Sequence, residues 1–244
     1  MSGHSKWSTI KRQKGVADAK RGQLFTKLSN AITIAVKDSG GVTNPESNFK
    51  LRLAMDKARA SNMPKENIER AIARGKGGGG QSVVELLYEG FGPGGVALMV
   101  EVLTDNKQRT VSEIKNLLEK NGGTLASTGS VSHLFVKRGE LIVKKKGLEQ
   151  EDILSIGIDA GVEDIEQAGE LIFFYTNRED LQKVRLNLEA SGVNIESAQI
   201  TYLPINYVTL DASEQNRVLN LIERINMLDD VQEVYSNLEL KGDE

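Results

Sequence analysis

Val162-Glu-Asp-Ile-Glu-Gln-Ala-Gly-Glu-Leu-Ile-Phe-Phe-Tyr-Thr176 reads as a hairpin, with strand-forming runs Val162–Gln167 and Leu171–Thr176 on either side of Gly169. Upstream, Ile153, Ile156 and Ala160 fall at helical spacing, and Leu141–Val143 predicts a strand before them. Downstream, Leu181, Val184, Leu188 and Ala190 predict a second helix, and Ile195–Leu203 a last strand. The order is β-α-β-β-α-β, the split βαβ pattern.

The flanks of this unit complete one another. Val83–Tyr88 and Val96–Thr104 lie on either side of the turn sequence Gly92-Pro-Gly-Gly95, which predicts an antiparallel pair. Thr110 with Glu113 has the spacing of a capping box, opening a helix that carries Val111, Ile114, Leu117 and Leu118 and ends at Gly122-Gly123. After Pro204, Tyr207–Leu210 predicts a strand, Asp211 and Glu214 cap a helix through Leu219, Ile222 and Ile225, and Val231–Leu238 ends the fold. The earlier strands have only one helix of their own until this last segment supplies a second. The expectation is a discontinuous middle domain, 81–136 plus 204–241, with 137–203 inserted in it. Both halves are of the α+β class, helices layered on antiparallel or mixed sheet.

Residues 1–80 read as a helical domain. Leu24, Leu28, Ile32, Ala35 and Val36 predict a helix over Gln23–Lys37, and Leu51, Ala54, Met55 and Ala58 a second. Pro64 suits the first turn of a third helix, which buries Ile68, Ala71 and Ile72 and stops at Gly75. Gly3, Gly15 and Gly22 interrupt a polar, basic stretch, so residues 1–22 are expected to be mobile when nothing is bound. Gly75-Lys-Gly-Gly-Gly-Gly80 matches G-x-G-x-x-G in form only. It follows a helix rather than a strand and opens no helix, so it reads as a hinge rather than a phosphate cradle.

The composition excludes much. Of 244 residues, 39% are apolar and 27% charged, with 24 Gly, 4 Pro and no Cys. Disulfides, thiolate nucleophiles and sulfur-based zinc sites are out. The two histidines, His4 and His133, cannot build a multi-histidine metal site, and no cofactor motif is present. No run approaches the ~18 apolar residues of a membrane span, and the N-terminus lacks a signal-peptide core, so the expected location is cytoplasmic. Neither a G-x-S-x-G elbow nor an H-E-x-x-H helix occurs. His133 sits in Ser132-His-Leu-Phe135, read as a strand, where a structural role is the ordinary one. Acidic pairs such as Asp229-Asp230 and Glu163-Asp164 sit at element ends, where solvated charge is the ordinary explanation. The chain reads as a non-enzyme.

Charge is segregated along the chain. Residues 1–76 hold 16 Lys/Arg against 6 Asp/Glu, whereas 77–244 hold 15 against 28, within a net charge of −3. Such partition suggests one end made for a polyanion. Lys6, Lys11, Arg12, Lys14, Lys20, Arg21 and Lys27 are candidate phosphate contacts, and Trp7 among them can stack on an unpaired base. Arg70, four residues after Glu66, and Arg74, near a helix C-terminus, suit structural roles as well as they suit nucleic acid. In Thr104-Asp-Asn-Lys-Gln-Arg-Thr110, Lys107 and Arg109 stand at a helix start that can hold a phosphate. Lys144-Lys-Lys146 reads as protection of an edge strand.

Gly3-His-Ser-Lys-Trp7, Asp18-Ala-Lys-Arg-Gly22, Phe25-Thr-Lys27, Arg70-Ala-Ile-Ala-Arg-Gly75, Tyr88-Glu-Gly-Phe-Gly-Pro-Gly-Gly95 and Asp230-Val-Gln-Glu-Val-Tyr235 together resemble the YebC/PmpR family over essentially the whole chain. One departure is Ile10-Lys-Arg-Gln-Lys14, where members usually read Ile-Lys-His-Arg-Lys. The resemblance implies a helical N-terminal domain and two α+β domains. It also implies a regulator of transcription that binds DNA; other members, including mitochondrial activators of translation, are ribosome-associated factors that help synthesis through difficult sequences such as proline runs. The polyanion is therefore DNA or ribosomal RNA. A third reading, from another class, is a protein-interaction module acting through the acidic domains.

Overall fold

The structure, a computed structural model, describes residues 18–77, 83–145 and 150–240. Along these residues run helices α1 (Asp18–Asp38), α2 (Phe49–Ala60) and α3 (Lys65–Gly75), then β1 (Val84–Phe91), β2 (Ala97–Thr104), α4 (Lys107–Lys120) and β3 (Thr124–Ala126). They are followed by β4 (Phe135–Lys144), α5 (Gln150–Ala160), β5 (Asp164–Ala168), β6 (Leu171–Asn177), α6 (Leu181–Ala190), β7 (Ile195–Pro204), α7 (Ala212–Asn226) and β8 (Val231–Ser236). The fold is α+β. The described chain forms two compact units, 134–209 with 237–240, and 18–133 with 210–236.

In the first of these units the sheet order is β5-β6-β4-β7, with every neighbouring pair antiparallel. This is the split βαβ arrangement expected from the hairpin at Gly169, whose φ of +60° is the turn conformation glycine adopts without penalty. The helices cover one face: a Cβ at Gly157 of α5 would sit 2.5 Å from Ile165 Cδ1 and 3.3 Å from Phe174 Cε1, so a larger residue there would make the Ile165 side chain shift. On the other face Ile142, Phe173 and Tyr175 are buried together with Ala168. Lys144 lies in β4, which is paired on both sides, so it guards no edge; it forms an ion pair with Glu196.

In the other unit the sheet order is β3-β1-β2-β8, again antiparallel throughout. The β1–β2 hairpin turns through Gly94 and Gly95, both at positive φ, as the Gly-Pro-Gly-Gly sequence predicts. The three-residue strand β3 went unread, being too short for a period-2 pattern to register. Tyr207–Leu210 is not a strand: it contributes only an isolated bridge from Val208 to Leu238. His133 is likewise not in a strand but in a 3₁₀ turn, Ser132–Leu134, ahead of β4.

The helices α1–α3 pack around a core of Leu28, Ile32, Val36, Leu51, Met55 and Ile68, the positions their apolar stripes predict. Helix α1 begins at Asp18 rather than Gln23, so 18–22 are helical; Gly22 costs an exposed helix only about 1 kcal/mol. Residues 1–17 and 78–82, the latter containing the last three of the six hinge residues 75–80, lie outside the described residues. Pro64 stands at the N-cap of α3, and Gly75 ends it. A Cβ at Gly75 would lie 2.6 Å from the Thr33 carbonyl oxygen, so α1 and α3 meet only over glycine. A smaller cluster of Ile34, Val83 and Leu103, with Ala31 against it, joins α1 to the sheet.

Candidate nucleic-acid interface

Of the candidate phosphate contacts, Lys6, Trp7, Lys11, Arg12 and Lys14 lie outside the described residues. Lys20 and Arg21 fall in the first turn of α1, and Arg21 is exposed. Lys27 is half-buried, and its Nζ donates to the carbonyl oxygen of Asn226 at 2.5 Å. Gln23 Nε2 donates to the next carbonyl, Met227, at 3.3 Å. Both donors therefore finish the C-terminus of α7, where a cation also suits the helix dipole.

On α3, Arg70 and Arg74 are exposed. Arg70 reaches the Asn67 side-chain oxygen, three residues back, rather than Glu66. Arg74 donates to Ser29 Oγ at 2.6 Å, tying α3 to α1. Each guanidinium has five donors and uses one here, so structural contact and phosphate contact are compatible on both.

The start of α4 is built differently from its sequence reading. Its N-cap is Asn106, whose side-chain oxygen accepts from the Arg109 backbone N–H at 3.1 Å; Thr110 lies inside the helix and is fully buried. Thr110 Oγ1 donates to Asp230 Oδ2 at 2.7 Å, Thr104 Oγ1 donates to the same oxygen at 3.0 Å, and Arg109 Nη2 at 2.5 Å. Arg109 also pairs with Asp105 at 3.1 Å. Burial by itself would raise the Asp230 pKa, but hydrogen bonds from Arg109, Thr110 and Thr104 outweigh it and hold the carboxyl below the usual range. Asp230 is thus no solvated end-of-element charge: it is 8% exposed and is held by three side chains around the start of α4. Lys107, the first residue of α4, is exposed.

Between α1 and α3 on one side and α4 with the α7–β8 turn on the other lies a cleft of about 960 Å³. Its first wall carries Gln23, Thr26, Asn30, Thr33 and Lys37 from one stripe of α1, together with Arg74. Its second wall carries Asp105, Arg109, Glu113, Asp229 and Asp230. The cleft and the buried role of Asp230 depend on residues more than a hundred positions apart meeting in space, whereas the Asn106 cap is local, three residues from its donor, and competes in the sequence with the capping-box spacing of Thr110.

Elsewhere, Glu89 is 3% exposed and accepts from the backbone N–H groups of Gly129 at 2.8 Å, Val131 at 2.5 Å and Ser132 at 3.0 Å. Its burial would raise the pKa, but these amides outweigh it and lower it. His133 is exposed, with Nδ1 3.4 Å from the Gly129 carbonyl oxygen, and no acidic partner orients it. Glu163 pairs with Arg138 and accepts from Asn177. Among the described residues no group of three or more acidic or imidazole side chains is arranged to hold a metal ion. No helix there is long and apolar enough to cross a membrane.

Comparison with known proteins places these features in a family. Residues 5–78 match the TACO1/YebC protein N-terminal domain, and residues 83–238 match the TACO1/YebC second and third domain. A "probable transcriptional regulatory protein" of Rubrobacter xylanophilus is 48% identical over 242 residues, 98% of this chain and 96% of that protein. One of the same name from Roseiflexus castenholzii is 47% identical over 248 residues, 100% of this chain and 97% of its own. The crystal structure of a conserved hypothetical protein, Aq1575 of Aquifex aeolicus, superposes with a TM-score of 0.86 at 43% identity, covering 93% of each chain. Full-length matches at this identity, on the same architecture, show that the chain belongs to the TACO1/YebC family of regulatory proteins.

Proposed function

We propose that the protein is a non-enzymatic, cytoplasmic regulator of transcription that binds DNA through its basic N-terminal module. The observation that carries this reading is the charge partition, 16 Lys/Arg against 6 Asp/Glu in residues 1–76 and the reverse balance afterwards. Solubility alone asks for no such segregation, whereas phosphate binding with counterion release does. The connection between α2 and α3 adds support for a duplex: it spans 61–64, the length of a helix-turn-helix connection, with Asn62 in the left-handed region at φ +56°. The names of the relatives point the same way.

A second reading, a ribosome-associated translation factor, is favoured by two features. Exposed Glu66 and Glu69 stand beside Arg70 on α3, which disfavours a duplex backbone there. The Gly-interrupted basic segment with Trp7 suits an irregular RNA surface.

Removing residues 1–17 spares α1 and tests the common core of both readings. Full-length protein is expected to bind labelled duplex DNA in low salt, and the truncated chain to lose most of that affinity. Equal binding by the two chains contradicts the assignment of the basic segment. Tight binding to structured RNA with none to duplex DNA turns the reading to the ribosome.

A further inference from the structure

The cleft between α1/α3 and the α4 start is unequal in charge from wall to wall. The α1/α3 wall presents Lys37 and Arg74 and no carboxylate. On the facing wall Arg109 is already engaged by Asp105 and Asp230, leaving Glu113 and Asp229, both exposed and neither in a hydrogen bond or ion pair among the described residues. Asn30 stands on the α1 wall, its amide likewise in no hydrogen bond among the described residues. Two hydrogen bonds cross the lining, from Gln23 to the Met227 carbonyl and from Lys37 to the Val83 carbonyl at 3.0 Å. At about 960 Å³ it is at the upper end of ordinary ligand clefts, roughly 300–1,000 Å³.

A ligand that suits such a cleft needs an anion at one end and hydrogen-bond donors at the other. Apolar ligands are disfavoured by the lining, and a simple anion is repelled by Glu113 and Asp229. A nucleotide in a single strand has both requirements: a phosphate for Lys37 and Arg74, and a base whose exocyclic amine donates to a carboxylate. Cytosine, adenine and guanine carry that amine. Uracil has no exocyclic amine: its one base-edge donor, N3–H, stands between two carbonyl oxygens that carboxylates repel, so it cannot serve two carboxylates as the two hydrogens of an amine can.

We propose that this cleft receives an unpaired nucleotide and selects an amino-bearing base, with Glu113 and Asp229 accepting from the base edge while Lys37 and Arg74 hold the phosphate. The proposal rests on the reading of the chain as a nucleic-acid-binding protein and adds a second, base-reading site to the basic segment, which grips phosphate without regard to sequence.

The test uses the full chain with two single-stranded RNA heptamers, oligo(C) and oligo(U), at one salt concentration. The expected result is binding of both, with oligo(C) preferred about tenfold, the scale of one good base-edge contact. In the double variant Glu113→Gln, Asp229→Asn the C/U ratio is expected to fall toward one, while Glu170→Gln, an exposed carboxylate of the other unit, leaves it unchanged. The ratio is the readout because removing negative charge raises affinity for both oligomers alike. Equal binding of the two oligomers by the unaltered protein overturns the cleft proposal and leaves phosphate binding intact, as does a preference that survives the double variant. Failure to bind either oligomer or duplex DNA overturns the proposed function together with the cleft.

Discussion

The helical layer α1–α3 and the β3-β1-β2-β8 sheet belong to one compact unit, yet they treat charge in opposite ways. The helices keep their charges outside. Arg52 pairs with Glu46, Lys65 with Glu69, and Lys50 with both Asp38 and Glu85, all partly or largely exposed and each worth less than about 1 kcal/mol. After such pairs a surplus of cations is left facing water. The sheet takes its carboxylates inside and answers them there, Glu89 with three backbone amides, Asp230 with two hydroxyls and a guanidinium. One layer presents its charge and the other consumes it, so the cationic surplus counted along residues 1–76 is a surplus available to a partner, whereas much of the acidic balance of the sheet is spent inside.

Glu89 gives the sharpest way to break that contrast. Glu89→Ala would leave three amides of the Gly129–Ser132 turn without an acceptor, at roughly 1–3 kcal/mol for the buried one of Val131 and less for the part-buried ones of Gly129 and Ser132. A loss of about 3 kcal/mol or more is expected, a fall in Tm of about 6–12 °C for a chain of this size. Because its folded pKa lies below that of an unfolded Glu, the stabilisation is complete above the ordinary carboxylate range and is lost as pH falls through the folded value. The Tm difference between the protein and Glu89→Gln should therefore shrink on acidification; a difference independent of pH would mean that the amides do not bind a charged carboxylate.

Glu101 sharpens the contrast from the other side. It shares a sheet face with Glu89, but it stands directly across from Glu233, and its one hydroxyl donor is Tyr235 at 2.9 Å. Burial first, then Glu85 and Glu233, push its pKa up, against the opposing pull of Tyr235 and Lys57. A raised carboxyl pKa means the charged form is disfavoured in the fold, so stability is lost as pH rises through the folded value. Glu101→Gln keeps an acceptor for Tyr235 and removes a like-charge pair, and a gain of about 0.5 kcal/mol at neutral pH is expected. A loss in thermal unfolding at pH 7 would show that Lys57 outweighs the two acids.

Local periodicity made the architecture legible. Both glycine turns, the stripes of α1–α3 and the β-α-β-β-α-β order were readable because each rests on residues within a dozen positions of one another. What escaped were features set by distant partners. Thr110 has the spacing of a capping box, but Asn106 lies one turn earlier and the Thr110 hydroxyl is drawn inward by Asp230, 120 residues away. Tyr207–Leu210 has strand composition but only one bridging neighbour. The candidate site shows in the sequence only as composition, in a basic segment most of which lies outside the described residues, and its geometry is illegible there, since neither wall of the cleft is a motif.

The most direct test of the account is the salt dependence of binding to duplex DNA by the full chain and by Lys11→Glu, Arg12→Glu, Lys14→Glu. If the basic segment grips phosphate, the slope of log K against log salt should flatten by about three phosphate contacts' worth, close to 0.9 for each. An unchanged slope would contradict it.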